Sequence, residues 1–193
     1  MITKVAIKFF CSSGPEKVAD AINIFHSWIQ NETVPGMLID VADYAHVPDG
    51  PGIMLIGHEA DHQLDLAEGP AGYLYSRKRL LEGSDSERLL EVAKAAAHAA
   101  SVFEADERSG VTLATNQVRV IFNDRLNTPN TDDGFAAVSD ALEALARAVF
   151  DGDAMIERDT SDPRGRLTVT LAADSTLSIA DLAKRLEAAP AGA

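Results

Sequence analysis

Two stretches of the same texture, Lys4-Val5-Ala6-Ile7-Lys8-Phe9 and Gln117-Val118-Arg119-Val120-Ile121-Phe122, stand 113 residues apart in a chain of 193 residues. Both alternate and then turn apolar, as a strand does on entering a core. Each is followed by a polar loop, an amphipathic helix and a Met/Ile strand, Met37-Leu38-Ile39 in one case and Met155-Ile156-Glu157 in the other. A Pro- and Gly-bearing turn and a further strand complete each half. A β-α-β-β-α order that occurs twice leaves few folds open, because every half-apolar strand must bury one face against helices or a second sheet. The expected fold is α+β: two tandem ferredoxin-like (β-α-β-β-α) units with a mainly antiparallel sheet and helices on one face. The first unit, residues 1–110, carries an extra hairpin at residues 62–76. The second, residues 111–193, packs with it as one compact domain whose other face is left for a ligand or a second subunit, so a homodimer is expected.

Local signals place the elements. Ser13-Gly14-Pro15-Glu16 reads as a helix start, with Ser13 as N-cap and a helix over residues 15–30. Its Val18, Ala21, Ile22, Phe25, Trp28 and Ile29 fall at three- and four-residue spacings and so share a face. Short apolar runs separated by Gly, Pro and Asp put strands at residues 37–41, 52–57, 62–66 and 72–76. Ser84-Asp85-Ser86-Glu87 is a capping box, opening a helix to about residue 107 on which Ala93, Ala96, Ala97 and Ala100 form a flat face. Beyond it come a strand at 117–123, a helix at 131–150, strands at 154–158 and 166–171, and a helix from Ser178 to about residue 188.

Charge and composition narrow the partners. With 17 basic and 30 acidic side chains the formal charge is −13, which repels phosphate backbones and anionic lipid, so neither nucleic acid nor a membrane surface is an expected partner. The longest apolar runs are about six residues, far short of a bilayer span. The single Cys11 closes no intramolecular disulfide, and Met1-Ile2-Thr3-Lys4 opens no signal peptide, so the expectation is cytoplasmic.

Reactive side chains concentrate between residues 40 and 62. His58-Glu59-Ala60-Asp61-His62 satisfies H-E-x-x-H, in which two histidines hold a metal and the glutamate polarises its water. That motif works on a helix, and here both flanks read as strands. The candidate metal ligands are His46, His58, Asp61 and His62, with zinc, manganese or iron as the ion and Glu59 as the catalytic base. Asp40, Asp43, Tyr44 and Asp49, in and around the turn Asp49-Gly50-Pro51-Gly52, are candidate ligand-binding residues. Arg77, Lys78 and Arg79 join them as the one cationic run of an acidic chain, with Tyr73 and Tyr75 as a stacking wall before it. Cys11 lacks the arginine of a phosphatase-type loop, and His26 and His98 lie within helices as structural residues. The loop holding Asn123, Asp124, Arg125 and Asn127 stands where Cys11 to Ser13 stand in the first unit, which suggests that the two loops border one cleft. The leading expectation is a small-ligand or divalent-metal-binding protein with its site in residues 40–62. A metal-dependent hydrolase and an acidic protein-interaction module are the alternatives.

Overall fold

A computed structural model of the protein describes residues 1–14, 18–48, 50–67 and 69–190. Among them residues 1–110 supply strands β1 (Val5–Ser13), β2 (Leu38–Tyr44), β3 (Gly52–Gly57), β4 (Ala60–Asp65) and β5 (Gly72–Arg77). Residues 111–193 supply β6 (Thr112–Phe122), β7 (Met155–Arg158) and β8 (Leu167–Ala172). All eight form one antiparallel sheet in the order β2-β3-β4-β5-β1-β6-β8-β7. Five helices accompany it: α1 (Asp20–Asn31), α2 (Asp85–Ala105), α3 (Asp132–Ala136), α4 (Ser139–Val149) and α5 (Ile179–Ala188). The fold is thus mixed α+β with a single antiparallel sheet, as the alternating patterns predict.

β1 and β6 pair at the middle of the sheet, where Val5 faces Phe122, Ile7 faces Val120 and Phe9 faces Val118. Because side chains alternate along a strand, the register divides the sheet into two faces. Ile7, Phe9, Leu55, His62, Leu64, Tyr73, Tyr75, Val118, Val120, Val169 and Leu171 share the face on which the helices pack. Their core takes in Ile24, Phe25 and Trp28 of α1 and Leu89, Ala93, Ala96, Ala100 and Phe103 of α2. Burying apolar side chains of this size contributes roughly 1.5–3 kcal/mol each. The alanines let α2 lie close to the sheet, where it touches β1, β5 and β6 as well as α4 and α5. On the opposite face Ala6, Leu74 and Ile121 form a small separate cluster, beside a fully buried ion pair between Lys8 and Asp65.

The helix ends follow their caps. Ser84 accepts from the Glu87 N–H while Glu87 accepts from the Ser84 N–H, the reciprocal pair expected of the capping box. Ser178 caps α5 by accepting from Asp181. Three expectations are corrected. Ser13 ends β1 and is not the N-cap of α1, which starts at Asp20 after Ala19; Pro15 and Glu16 lie outside the described residues. The helix expected over 131–150 is two helices, because Val138, at φ −116° and ψ 1°, leaves helical geometry between α3 and α4. Finally, β1 and β6 run antiparallel, so the loops that follow them lie at opposite ends of the sheet. Asn123 N–H donates to the Lys4 carbonyl, whereas Ser13 faces Thr112. Those two loops therefore do not border one cleft.

Candidate functional site

H-E-x-x-H lies on a β-hairpin, not on a helix. β3 ends at Gly57, the turn is His58–Glu59, and β4 begins at Ala60, two residues earlier than the sequence pattern suggests. Adjacent strand residues face opposite sides, so Asp61 and His62 diverge. Asp61 accepts from Lys78 Nζ at 2.7 Å and from the Gly57 N–H at 3.1 Å. His62 points into the helix-side core and is 3% exposed. His58 is exposed at the turn, and His46 is exposed beyond the far end of β3, since Tyr44 pairs with Gly52 while Leu38 pairs with Gly57. A strand of this length separates its ends by about 3.3 Å per residue, which keeps His46 away from His58. Among the described residues no group of three or more His, Cys, Asp or Glu side chains converges as a metal site would require.

The remaining candidates also separate. Asp40 and Asp43 are exposed on the edge strand, each accepting from a backbone N–H one or two residues on, at 2.8 and 2.9 Å. Tyr44 is exposed beside them, and Asp49 lies outside the described residues. Arg77, Lys78 and Arg79 have different partners. Lys78 is paired with Asp61, Arg77 Nε donates to the Arg79 carbonyl at 3.0 Å, and Arg79 is exposed.

Three of the candidates do meet. Glu59, His62 and Arg77 line one pocket of about 190 Å³ on the helix side of the sheet. Residues 34–38, the strap leading from α1 into β2, form one wall; Ala95, His98 and Ala99 of α2 form another, and Ala60 and Tyr75 complete it. The strap is held to the β3–β4 turn at both backbone groups of Met37. Its N–H donates to Glu59 Oε2 at 3.1 Å, and its carbonyl accepts from the His58 N–H at 2.8 Å. Glu32 in the left-handed region, at φ 50°, and Gly36, at φ 107°, turn the chain on either side of Val34.

His62 is set at the inner end by aromatic packing. Trp28 meets its ring edge to face at 5.7 Å between centroids and Tyr75 at 5.2 Å. Its Nδ1 lies 2.7 Å from the Tyr73 hydroxyl. Burial pushes the imidazole down to about 4, so the ring is neutral at physiological pH. Burial also raises Tyr73 well above its ordinary value and raises Tyr75, which the neighbouring Arg77 opposes. At the mouth, the hydrogen bond from the Met37 N–H lowers Glu59, with His58 and Arg77 adding to the effect. Such a pocket, mainly apolar with a few convergent polar groups and perturbed titratable side chains, suits a small molecule.

Sequence reasoning missed Trp28, His98 and the strap as parts of this site, and it placed Tyr73 as a wall where it is the partner that orients His62. One signal was available. Ala60, His62 and Leu64 alternate with Asp61, Gln63 and Asp65, which puts the histidine on the apolar side. Cys11, half-buried, is pushed up to about 11 mainly by desolvation and is a poor nucleophile. Asp124 is held down to about 2 by hydrogen bonds from Thr3 and Asn127 and serves its own turn. Among the described residues no helix is long and apolar enough to cross a membrane. Comparison of the chain with family models, with curated proteins and with solved structures finds no match to any of them.

Proposed function

We propose that this chain binds a small molecule in the pocket between the 34–38 strap, the β3–β4 turn and α2, with His62, Tyr75, Arg77 and Glu59 as its polar groups. The carrying observation is His62 itself, a histidine almost completely removed from water that lines an open pocket, with only one ring nitrogen hydrogen-bonded among the described residues. A larger cavity of about 360 Å³ between α2, α4 and α5 offers less. Its Arg185 is already spent on the Ala148 and Phe150 carbonyls, at 3.0 and 2.8 Å.

Trp28 is the single tryptophan and packs on His62, so its fluorescence reports occupancy of the pocket. A fragment library screened by Trp28 emission should give hits that also shift the backbone amides of Val34, Met37 and Ala99 in heteronuclear NMR. Hits that leave all three amides in place, and that bind equally to a variant with Ala99→Phe, would refute the assignment.

The same reading extends to the architecture. Val118 stands 113 residues after Val5, and the same offset carries Ile7 onto Val120, its direct partner across the seam. Exchanging the two units therefore leaves the β1–β6 register unchanged, as expected if residues 1–110 and 111–193 are two ferredoxin-like units of common origin. Self-association, which we assign to the outer edge strand β2 where Ile39 and Tyr44 are exposed, is checked by sedimentation of wild type against Ile39→Lys.

A further inference from the structure

The chemical class of the ligand follows from the position of one hydrogen, and this step rests on the pocket reading above. Tyr73 is fully buried, and the only hydrogen-bond partner of its hydroxyl among the described residues is His62 Nδ1. A phenol has a single hydrogen to give. Leaving it undonated in the core costs roughly 1–3 kcal/mol, so Tyr73 donates and Nδ1 accepts. The proton of the neutral imidazole then resides on Nε2.

No described residue accepts from Nε2. The rings of Trp28 and Tyr75 packed against the imidazole offer π faces, which are weaker acceptors than an oxygen lone pair. The inner end of the pocket thus presents a neutral N–H donor with no oxygen acceptor from the protein. Around it the walls are mainly apolar, Val34, Leu38, Ala60, Ala95 and Ala99, with the side chains of Tyr75 and His98 among them. The charged side chains stay at the mouth, where Glu59 is tied to the Met37 N–H and Arg77 to the Arg79 carbonyl. An ionised group seated on His62 would leave water for mainly apolar walls, and the charges nearest to it, Glu59 and Arg77, are already engaged by the Met37 N–H, the Arg79 carbonyl and the Tyr75 hydroxyl, which makes its desolvation costly.

We infer that the pocket takes a small, mostly apolar, uncharged molecule carrying a carbonyl oxygen, and that this oxygen accepts a hydrogen bond from His62 Nε2–H. Glu59 and Arg77 close the mouth over it without forming its primary contact.

Two measurements on the intact chain test this. Long-range ¹H–¹⁵N NMR of the imidazoles should show His62 as the Nε2–H tautomer; an Nδ1–H signal overturns the inference directly. Four probes of similar size then separate the ligand classes: acetophenone, ethylbenzene, benzoate and benzylamine. Acetophenone should bind about tenfold more tightly than ethylbenzene, the ratio set by one net hydrogen bond, and it should shift the His62 Nε2 resonance. Equal binding of acetophenone and ethylbenzene, or tightest binding by benzoate or benzylamine, overturns the carbonyl assignment and leaves the pocket standing. If none of the four changes Trp28 emission or the Val34 and Ala99 amides, the pocket assignment fails and the inference falls with it.

Discussion

Acidification should destabilise this protein through His62 before it does so through the carboxylates. The folded state holds the imidazole near 4, whereas an unfolded chain leaves it near 6.5. Between these values the unfolded state binds a proton that the folded state refuses, so stability falls as pH drops below 6.5 and the loss is complete near pH 4. One proton corresponds to about 1.4 kcal/mol per pH unit, and the full interval to about 3 kcal/mol, a large share of a typical domain stability. The depressed carboxylates act lower down. Asp124, held from 3.8 to about 2, gives up its contribution only as pH falls below its unfolded value. The window from pH 4.5 to 6.5 therefore isolates the histidine. Urea unfolding across that window should be compared between wild type and His62→Asn, whose amide oxygen replaces Nδ1 as the acceptor for Tyr73. The wild-type slope should exceed the variant's by about 1 kcal/mol per pH unit. Parallel profiles would show that the imidazole is solvated or ion-paired in the folded state, and the neutral-donor argument would collapse.

Other consequences are open to simple measurement. Lys8→Met takes the buried ammonium away from Asp65 and should cost about 3–5 kcal/mol in urea unfolding, while Lys8→Met with Asp65→Leu should recover most of it, since the double variant buries neither charge. Gly52, at φ +72°, has no room for a Cβ, which would lie 2.1 Å from the Leu64 carbonyl oxygen. Gly52→Ala should therefore lower Tm well beyond Gly110→Ala, where the same left-handed backbone meets open space and only the conformational cost of about 1–2 kcal/mol applies. Ser84→Ala removes one half of the capping box and should cost about 1 kcal/mol by chemical denaturation. Equimolar zinc, manganese or ferrous iron should move Tm by less than about 1 °C, because Tyr73 occupies His62 Nδ1 and His58 stands apart in the turn. Stoichiometric metal that disappears in His58→Ala/His62→Ala would restore the metal reading.

Strands and capped helices were legible in the sequence because their signals are local: β3 over residues 52–57, the Ser84 box and the Ser178 cap all fall where spacing puts them. Misplacements arose where tertiary contacts override local preference. The β3–β4 turn contracts to two residues because Ala60 pairs with Arg77 of β5, and that pairing sends Asp61 and His62 to opposite faces. Glu59, His62 and Arg77 were visible as candidates by residue type, but their company was not. Trp28, the strap and His98 reach them only after α1 and α2 have packed on the sheet, and no short-range spacing encodes such a meeting. The Arg77-Lys78-Arg79 run misled for the opposite reason. Neighbours in sequence look like one patch, but the chain leaves β5 at Arg77, and Lys78 is drawn off to Asp61.

The seam between β1 and β6 also bears on how the chain is made. β1 sits between β5 and β6, both of which follow it in sequence: Val5 must wait for Arg77 on one side and for Phe122 on the other. During synthesis the segment from Val5 to Phe10, apolar except for Lys8, is unpaired until β5 emerges, and one edge stays open until β6 does. At typical elongation rates of about 5–20 residues per second the second wait lasts several seconds, long compared with collapse or hairpin formation. The nascent chain therefore keeps one edge of β1 open to aggregation through the whole interval between residues 77 and 122, which is when α2, the helix that packs on β1, β5 and β6, is being made.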